Sequence, residues 1–201
     1  PFTPVTGERL LVAAGEDPAI WRPALLSGLE AAMEGTHGLH LLFDTRPEAD
    51  FLEGAGLFTR SQYQYHWVNR GYRTFDDYLG ALRSKTRKMI KRDRRAVSHL
   101  DVRVVRSPSA DAMVRMQGFY ANTCRQFGQW GRVYLSPEFF AHLAESWGER
   151  VVLIEAVSQG EVVGATFNVV KGDRLFGRYW GSSTEIDCLH FECCYYKTVE
   201  L

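Results

Sequence analysis

Three apolar segments near the end of the chain follow one another with only short polar turns between them. They are Val151–Val157, Glu161–Val170 and Leu175–Gly181, and the turns are Ser158-Gln159-Gly160 and Lys171-Gly172-Asp173. The segments are rich in β-branched and aromatic residues, which favour strands, and short glycine-containing turns are typical of hairpins. We therefore predict an antiparallel meander of three strands in this part of the chain.

The first part of the chain alternates between strand-like and helix-like patterns. Strands are predicted over Arg9–Ala14, Leu39–Phe43 and Phe58–Asn69, a helix beginning near Asp17-Pro18 follows the first, and a short helix over Pro47–Glu53 follows the second. An aspartate followed by proline is a common helix start. Strands separated by helices predict a mainly parallel α/β layer.

A boundary near Gly71 divides the chain into predicted domains of residues 1–72 and 73–201. The second domain is predicted to hold the meander, further helices and one further strand. The helices begin at Thr74, Ser109, Ser136 and between Asp187 and His190, and the strand covers Asp101–Arg106. Together the two domains predict an α/β (α+β) fold with a mixed sheet flanked by helices.

The segment Arg83–Arg95 concentrates positive charge in a chain whose formal net charge is zero. Of the 24 basic and 24 acidic residues, eight basic and one acidic lie in this segment, which leaves 16 basic and 23 acidic residues elsewhere. On a helix, spacings of three and four place its cations near one face; they are Arg87, Lys88, Lys91, Arg94 and Arg95. Such a face implies either an anionic partner or a salt-bridged contact with acidic neighbours.

The last predicted strand carries a cluster of candidate substrate-binding residues, Arg178, Tyr179 and Trp180. Strand alternation predicts that Phe176, Arg178 and Trp180 share one face, with Tyr179 on the other. An arginine between aromatic residues can stack on a ring or bind a carboxylate or phosphate. The neighbouring glycines would allow a ligand or another backbone to approach closely. The alternative is an ordinary strand with one satisfied arginine.

The start of the final helix carries three candidate catalytic residues, His190, Glu192 and Tyr195. Histidine can act as a general base near neutral pH, a carboxylate can orient it or act alone, and a tyrosine can donate a proton to a leaving group. Tyr196 is a second candidate for that last role. The alternative for each residue is a buried polar side chain with one hydrogen bond.

Composition and cysteine spacing bear on whether the chain spans a membrane, forms disulfides or binds a metal. No stretch approaches the roughly 20 apolar residues that span a bilayer, and three of the four cysteines crowd into the last 14 residues. That spacing suits neither a disulfide framework nor a zinc site, so we predict free thiols, a cytoplasmic location and no metal site.

Several motifs together resemble a bacterial family associated with peptidoglycan biosynthesis or recognition, which is itself similar to the Fem-type aminoacyltransferases. The motifs are Pro1–Gly7, His66–Tyr72, Phe75–Arg95, Gly177–Gly181 and Leu189–Glu192. The resemblance implies two partial lobes of the N-acyltransferase (GNAT-like) type. It also implies a longer protein that continues before Pro1 and after Leu201.

Two functional hypotheses follow. The first is an enzyme that transfers an acyl or aminoacyl group to a small-molecule or peptide amine. Arg87, Lys91 and Arg94 would bind an anionic donor such as coenzyme A or, as the resemblance implies, aminoacyl-tRNA. A glycine-rich phosphate turn is not evident in the sequence, which favours tRNA over acyl-CoA. The second is a non-catalytic module of the same fold that recognises a cell-wall precursor or nucleic acid. A structural dimer is a third possibility.

Overall fold

The computed structural model describes residues 5–128 and 131–201, which form two compact units divided between Trp67 and Val68. Residues 1–4 of the Pro1–Gly7 motif lie outside the described part. The first unit contains helices α1 (Pro18–Ala32) and α2 (Arg46–Gly54). Asp17 accepts a hydrogen bond from the amide of Ala19, which confirms the predicted start of α1.

The first unit is held together by leucines from both helices and from the irregular segments before, between and after them. Leu10, Leu26 and Leu52 are buried at its centre. Glu48 of α2 is fully buried, and its carboxylate accepts hydrogen bonds from the amides of Arg9 and Leu10 at 2.7–2.9 Å. This carboxylate therefore satisfies backbone groups that a strand would have paired with a neighbour.

The prediction of three strands in this region is wrong. Residues 9–14, 39–43 and 58–69 are irregular in the structure. Their apolar residues still pack, since Leu39 and Leu41 line the leucine core. A strand requires a hydrogen-bonding neighbour, and an alternating pattern predicts the burial of side chains without supplying that neighbour.

The second unit contains a four-stranded sheet in the order β1-β2-β3-β4, with every pair antiparallel. The strands are β1 (Asp101–Arg106), β2 (Val151–Ser158), β3 (Glu161–Lys171) and β4 (Arg174–Ser182). The predicted meander is thus confirmed. The β2–β3 hairpin turns on Gln159 and Gly160, both with positive φ, as two-residue hairpins demand. The parallel component expected of a mixed sheet is absent from the described residues.

Helices cover both faces of this sheet, which confirms the α/β class. One face carries α5 (Ala110–Gln126) and α6 (Pro137–Trp147), which begin with the side-chain caps Ser109 and Ser136. The opposite face carries α4 (Ser84–Ala96) and the final helix, and the short helix α3 (Phe75–Ala81) precedes α4. A turn of 3₁₀-helix over Gly148–Arg150 joins α6 to β2.

Candidate active site

The final helix, which we call α7, is not regular. It is α-helical over Leu189–Phe191, π-helical over Glu192–Tyr196 and α-helical again over Lys197–Glu200. Cys188, immediately before it, has φ 65° in the left-handed region. Isolated π-turns and left-handed non-glycine residues are uncommon and recur at functional sites. We call the segment Glu192–Tyr196 the π-turn.

His190 lies within a group of aromatic rings that we call the aromatic cluster. Its imidazole lies 5.7 Å from the ring of Trp180, 5.6 Å from that of Phe191 and 5.6 Å from that of Tyr195. Phe191 and Tyr195 are half-exposed, at 51% and 52%. The cluster therefore presents a histidine between apolar surfaces that remain accessible to a ligand.

Partial burial lowers the pKa of His190 below its ordinary value of 6.5, because desolvation disfavours the charged imidazolium. The ring is therefore neutral at neutral pH and has a nitrogen free to accept a proton. A neutral imidazole at an accessible site is the chemical requirement for a general base.

Glu192 faces away from solvent and bonds to α4. It is 4% exposed, and its two oxygens accept from Nε and Nη2 of Arg94 at 3.1 and 3.0 Å. Burial raises the pKa of this carboxyl, while the charge and hydrogen bonds of Arg94 lower it in part. Arg94 also pairs with Glu200 and stacks over the ring of Phe75 at 4.6 Å. The predicted catalytic carboxylate is thus buried and ion-paired with the half-buried Arg94.

The basic helix α4 has two different faces, so its cations do not form the single face that the sequence suggested. Arg94 points inward to Glu192, and Arg87 Nη1 donates to the carbonyl oxygens of Leu79 and Gly80, each at 3.4 Å. Five cations of α4 are exposed, and one of them, Arg92, pairs with Asp93. We call the other four the outer cations: Lys85, Lys88, Lys91 and Arg95. Of the three predicted binding residues on this helix, only Lys91 lies on the outer side.

A β-bulge in β4 changes the predicted arrangement of its side chains. Tyr179 pairs with Phe167 and Gly177 pairs with Asn168, so Arg178 is the extra residue. Past a bulge the alternation shifts by one position. Phe176 therefore shares a face with Tyr179, and its predicted position beside Trp180 is wrong.

Two predicted substrate-binding residues, Arg178 and Tyr179, lie apart from the aromatic cluster. Tyr179 packs among Tyr120, Phe140 and Phe167 on the face covered by α5 and α6. The guanidinium of Arg178 stacks on the ring of Tyr179 at 4.4 Å. Trp180 instead points to the other face, against His190. The structure thus brings Trp180, His190 and Tyr195 together, and it places Arg178 and Tyr179 elsewhere.

The close approach that Gly181 permits is made by the protein's own backbone. A Cβ atom at this position would lie 1.9 Å from the carbonyl oxygen of Phe119 in α5. Beside it, Thr123 Oγ1 donates to the Trp180 carbonyl at 2.9 Å, and Asn122 Nδ2 donates to the Ser182 carbonyl at 3.1 Å. Helix α5 therefore fixes β4 and, with it, the backbone that carries Trp180.

Neither a metal cluster nor a membrane span occurs in the described part of the chain. Within residues 5–128 and 131–201, no group of three or more His, Cys, Asp or Glu side chains is arranged to hold a metal ion. Over the same residues, no helix has the length and hydropathy to cross a membrane.

A comparison with protein-family models identifies the family to which the chain belongs. A family model described as peptidoglycan biosynthesis/recognition, FemAB-like, matches residues 1–201. The chain therefore belongs to the FemAB-like family, which associates it with peptidoglycan biosynthesis or recognition. This agrees with the resemblance carried by its motifs. No curated protein matches the chain.

Proposed function

We propose that this protein transfers an acyl or aminoacyl group to an amine in peptidoglycan metabolism, with His190 as the general base. The observation that carries this proposal is the neutral, accessible imidazole of His190 within the aromatic cluster. Membership of the FemAB-like family supplies the cell-wall context.

The chemistry requires one proton acceptor and one proton donor. The amine nitrogen attacks the donor's carbonyl carbon, a carbon–nitrogen bond forms, and the bond from that carbon to the leaving oxygen or sulfur breaks. His190 takes the proton that the amine loses, and the hydroxyl of Tyr195 gives a proton to the leaving group. The two side chains lie side by side, with ring centroids 5.6 Å apart. The acceptor amine would pack against the ring of Trp180.

The outer cations of α4 are the proposed contact for an anionic donor, either aminoacyl-tRNA or acyl-CoA. Lys88, Lys91 and Arg95 recur at spacings of three and four on one exposed side of the helix. Cations in such a row bind phosphates, and this binding weakens as salt concentration rises. Both donors are made in the cytoplasm, where this proposal places the reaction.

A non-catalytic recognition module is the second candidate, and one observation favours it. Both oxygens of Glu192 are bonded to Arg94, so the predicted orienting carboxylate is committed to that pair. Exposed aromatic rings can bind a ligand without performing chemistry on it.

One experiment separates the two functions. The intact natural protein is incubated with acyl-CoA or aminoacyl-tRNA and with muropeptides that carry a free amine, and acylated product is followed by mass spectrometry. His190→Gln removes the base and keeps the side chain's approximate size and polarity. Loss of turnover with unchanged muropeptide binding supports the enzyme. Muropeptide binding without product for any donor supports the recognition module instead.

His142→Gln is the matched control, because His142 is an exposed residue of α6, on the opposite face of the sheet. Its turnover is expected to equal that of the unaltered protein. An equal loss in both histidine variants would contradict the role of His190.

A further inference from the structure

Two adjacent residues of α4 hold the two ends of the π-turn. Arg94 binds Glu192, its first residue, through two hydrogen bonds. Asp93 accepts a hydrogen bond at 3.1 Å from the hydroxyl of Tyr196, its last residue. Asp93, Glu192 and Tyr196 are at most 8% exposed, whereas the side chain of Arg94 is half-buried, so the Asp93 contact is buried and the Arg94 contact is partly buried.

The π-turn determines which side chains of α7 meet. His190 and Tyr195 are five residues apart. In a regular α-helix, residues at that separation point about 140° apart, because each residue turns the chain by about 100°. In a π-helix, whose hydrogen bonds join residues five apart, such residues lie on the same side of the helix. The π-turn begins two residues after His190, and it therefore turns Tyr195 toward the side of α7 that carries His190, where the two ring centroids lie 5.6 Å apart.

A π-turn needs support from outside its own helix. Its geometry is rare because the α-helical alternative is intrinsically preferred for most sequences. The sequence of α7 has no proline or glycine between residues 189 and 200 that would disfavour a regular helix. The hydrogen bonds from α4 to both ends of the segment provide the support that the segment itself lacks.

We propose that Asp93 and Arg94 form a clamp that keeps residues 192–196 in the π conformation and thereby positions His190 beside Tyr195. Both are positioning residues, since they act on the candidate site through α7 and do not touch its rings. The catalytic effect of the clamp rests on the function proposed above. Its effect on the geometry of α7 does not depend on that function.

The test compares variants that release each end of the π-turn. Arg94→Met combined with Glu192→Gln removes the ion pair without leaving a buried charge unpaired. Tyr196→Phe removes only the hydroxyl that bonds to Asp93, so it keeps the ring's packing. Arg106→Met is the matched control, because it removes one exposed arginine from β1, away from α7.

The primary measurement is the nuclear Overhauser effect between the ring protons of His190 and Tyr195. In the unaltered protein and in Arg106→Met this signal is expected. In the double variant it is expected to disappear, and in Tyr196→Phe to weaken, while thermal unfolding shows that each remains folded. If the signal persists at full strength in folded forms of both clamp variants, the clamp is overturned. Should the double variant fail to fold, the Tyr196→Phe result decides in the same way.

Turnover supplies the second measurement. Displacing Tyr195 from His190 is expected to reduce kcat by about 10- to 100-fold with KM unchanged. An intact protein with no turnover, in which the ring signal still depends on the clamp, would overturn the proposed function and leave the clamp standing. Full turnover in a variant without the ring signal would overturn the catalytic part of the clamp.

Discussion

The two faces of the sheet in the second unit are built by different means. On the face covered by α5 and α6, aromatic and aliphatic side chains pack around Phe140, Met113 and Met116, all fully buried. On the face covered by α4 and α7, an apolar layer around Ile154 and Leu189 gives way to the buried carboxylate of Glu192, its half-buried partner Arg94 and the π-turn. The first arrangement supplies stability, whereas the second holds unusual backbone in place, as functional sites commonly require.

Each face also contains a buried carboxylate bound by arginine, and the two pairs differ in their surroundings. Glu155 in β2 is held by Arg103 from β1 and by Arg115 from α5, at 2.8–3.2 Å. Glu192 is held by Arg94 and begins the π-turn beside His190. A buried carboxylate bound by arginine therefore does not identify a functional site by itself; the irregular helix and the aromatic cluster distinguish Glu192 from Glu155.

The largest expected change in stability is on the face covered by α5 and α6. Gly181→Ala should destabilise the protein by more than about 3 kcal/mol, because the added methyl would collide with the backbone of α5 at Phe119. Urea unfolding measures the change. Gly118→Ala, inside α5 with open space around its Cβ position, is the control and should stabilise by about 0.5–1 kcal/mol. Equal stability of the two variants would refute the close helix–strand contact.

The next prediction compares how much stability is lost when each of the two buried carboxylates loses an arginine partner. Arg94→Ala leaves Glu192 without its bidentate partner and should cost about 2–4 kcal/mol. Arg115→Ala leaves Glu155 still bonded to Arg103, so it should cost only about 1 kcal/mol. Adding Glu192→Gln to Arg94→Ala should recover part of the stability, because no charge is then left buried. Denaturant midpoints measure all three variants, and a larger cost at Arg115 would reverse the comparison.

A smaller effect concerns the outer cations. Lys88→Ala with Lys91→Ala should change stability by no more than about 0.5 kcal/mol, since both side chains are exposed. The same variant should weaken tRNA binding and lower the slope of log affinity against log salt by about 1 for each phosphate that the protein no longer neutralises. Fluorescence anisotropy at several salt concentrations measures this. Lys171→Ala with Arg174→Ala removes the same charge from the β3–β4 hairpin, and an identical slope change there would show that α4 holds no specific anion site.

The smallest effect is the pH dependence contributed by His190. Its pKa is lowered in the folded state, so the unfolded chain binds a proton that the folded chain does not. Stability from this group is therefore complete above pH 6.5 and decreases as pH falls below 6.5. His190→Phe should lose less stability than the unaltered protein between pH 7.5 and pH 5. A parallel decrease in both would show that the imidazole is not desolvated in the fold.

The sequence predicted regular elements well wherever local chemistry decides the structure. The helix starts at Thr74, Ser109 and Ser136 and the turn at Gly160 follow from side-chain caps and positive φ. These features depend on residues close together in the chain, so a pattern is sufficient to find them.

The sequence did not predict the features that depend on residues far apart in the chain. The bulge at Arg178 depends on how β4 pairs with β3, and the π-turn depends on α4, about 100 residues earlier. His190 and Tyr195 could be named as candidates from their chemistry. Their contact could not be predicted, because regular helical geometry would separate them. Arg87 and Arg94 were assigned to a binding face because the spacing does not reveal which side of α4 is buried.

The role of His190 as the base is tested most directly by the pH profile of kcat/KM for amine acylation, measured on the unaltered protein and on His190→Gln. For the unaltered protein we predict a profile that falls on the acid side with an apparent pKa below 6.5. In the variant, the rate should be reduced by about 100- to 10,000-fold and this acid limb should disappear. An unchanged acid limb and undiminished turnover in the variant would contradict the assignment of His190 as the base.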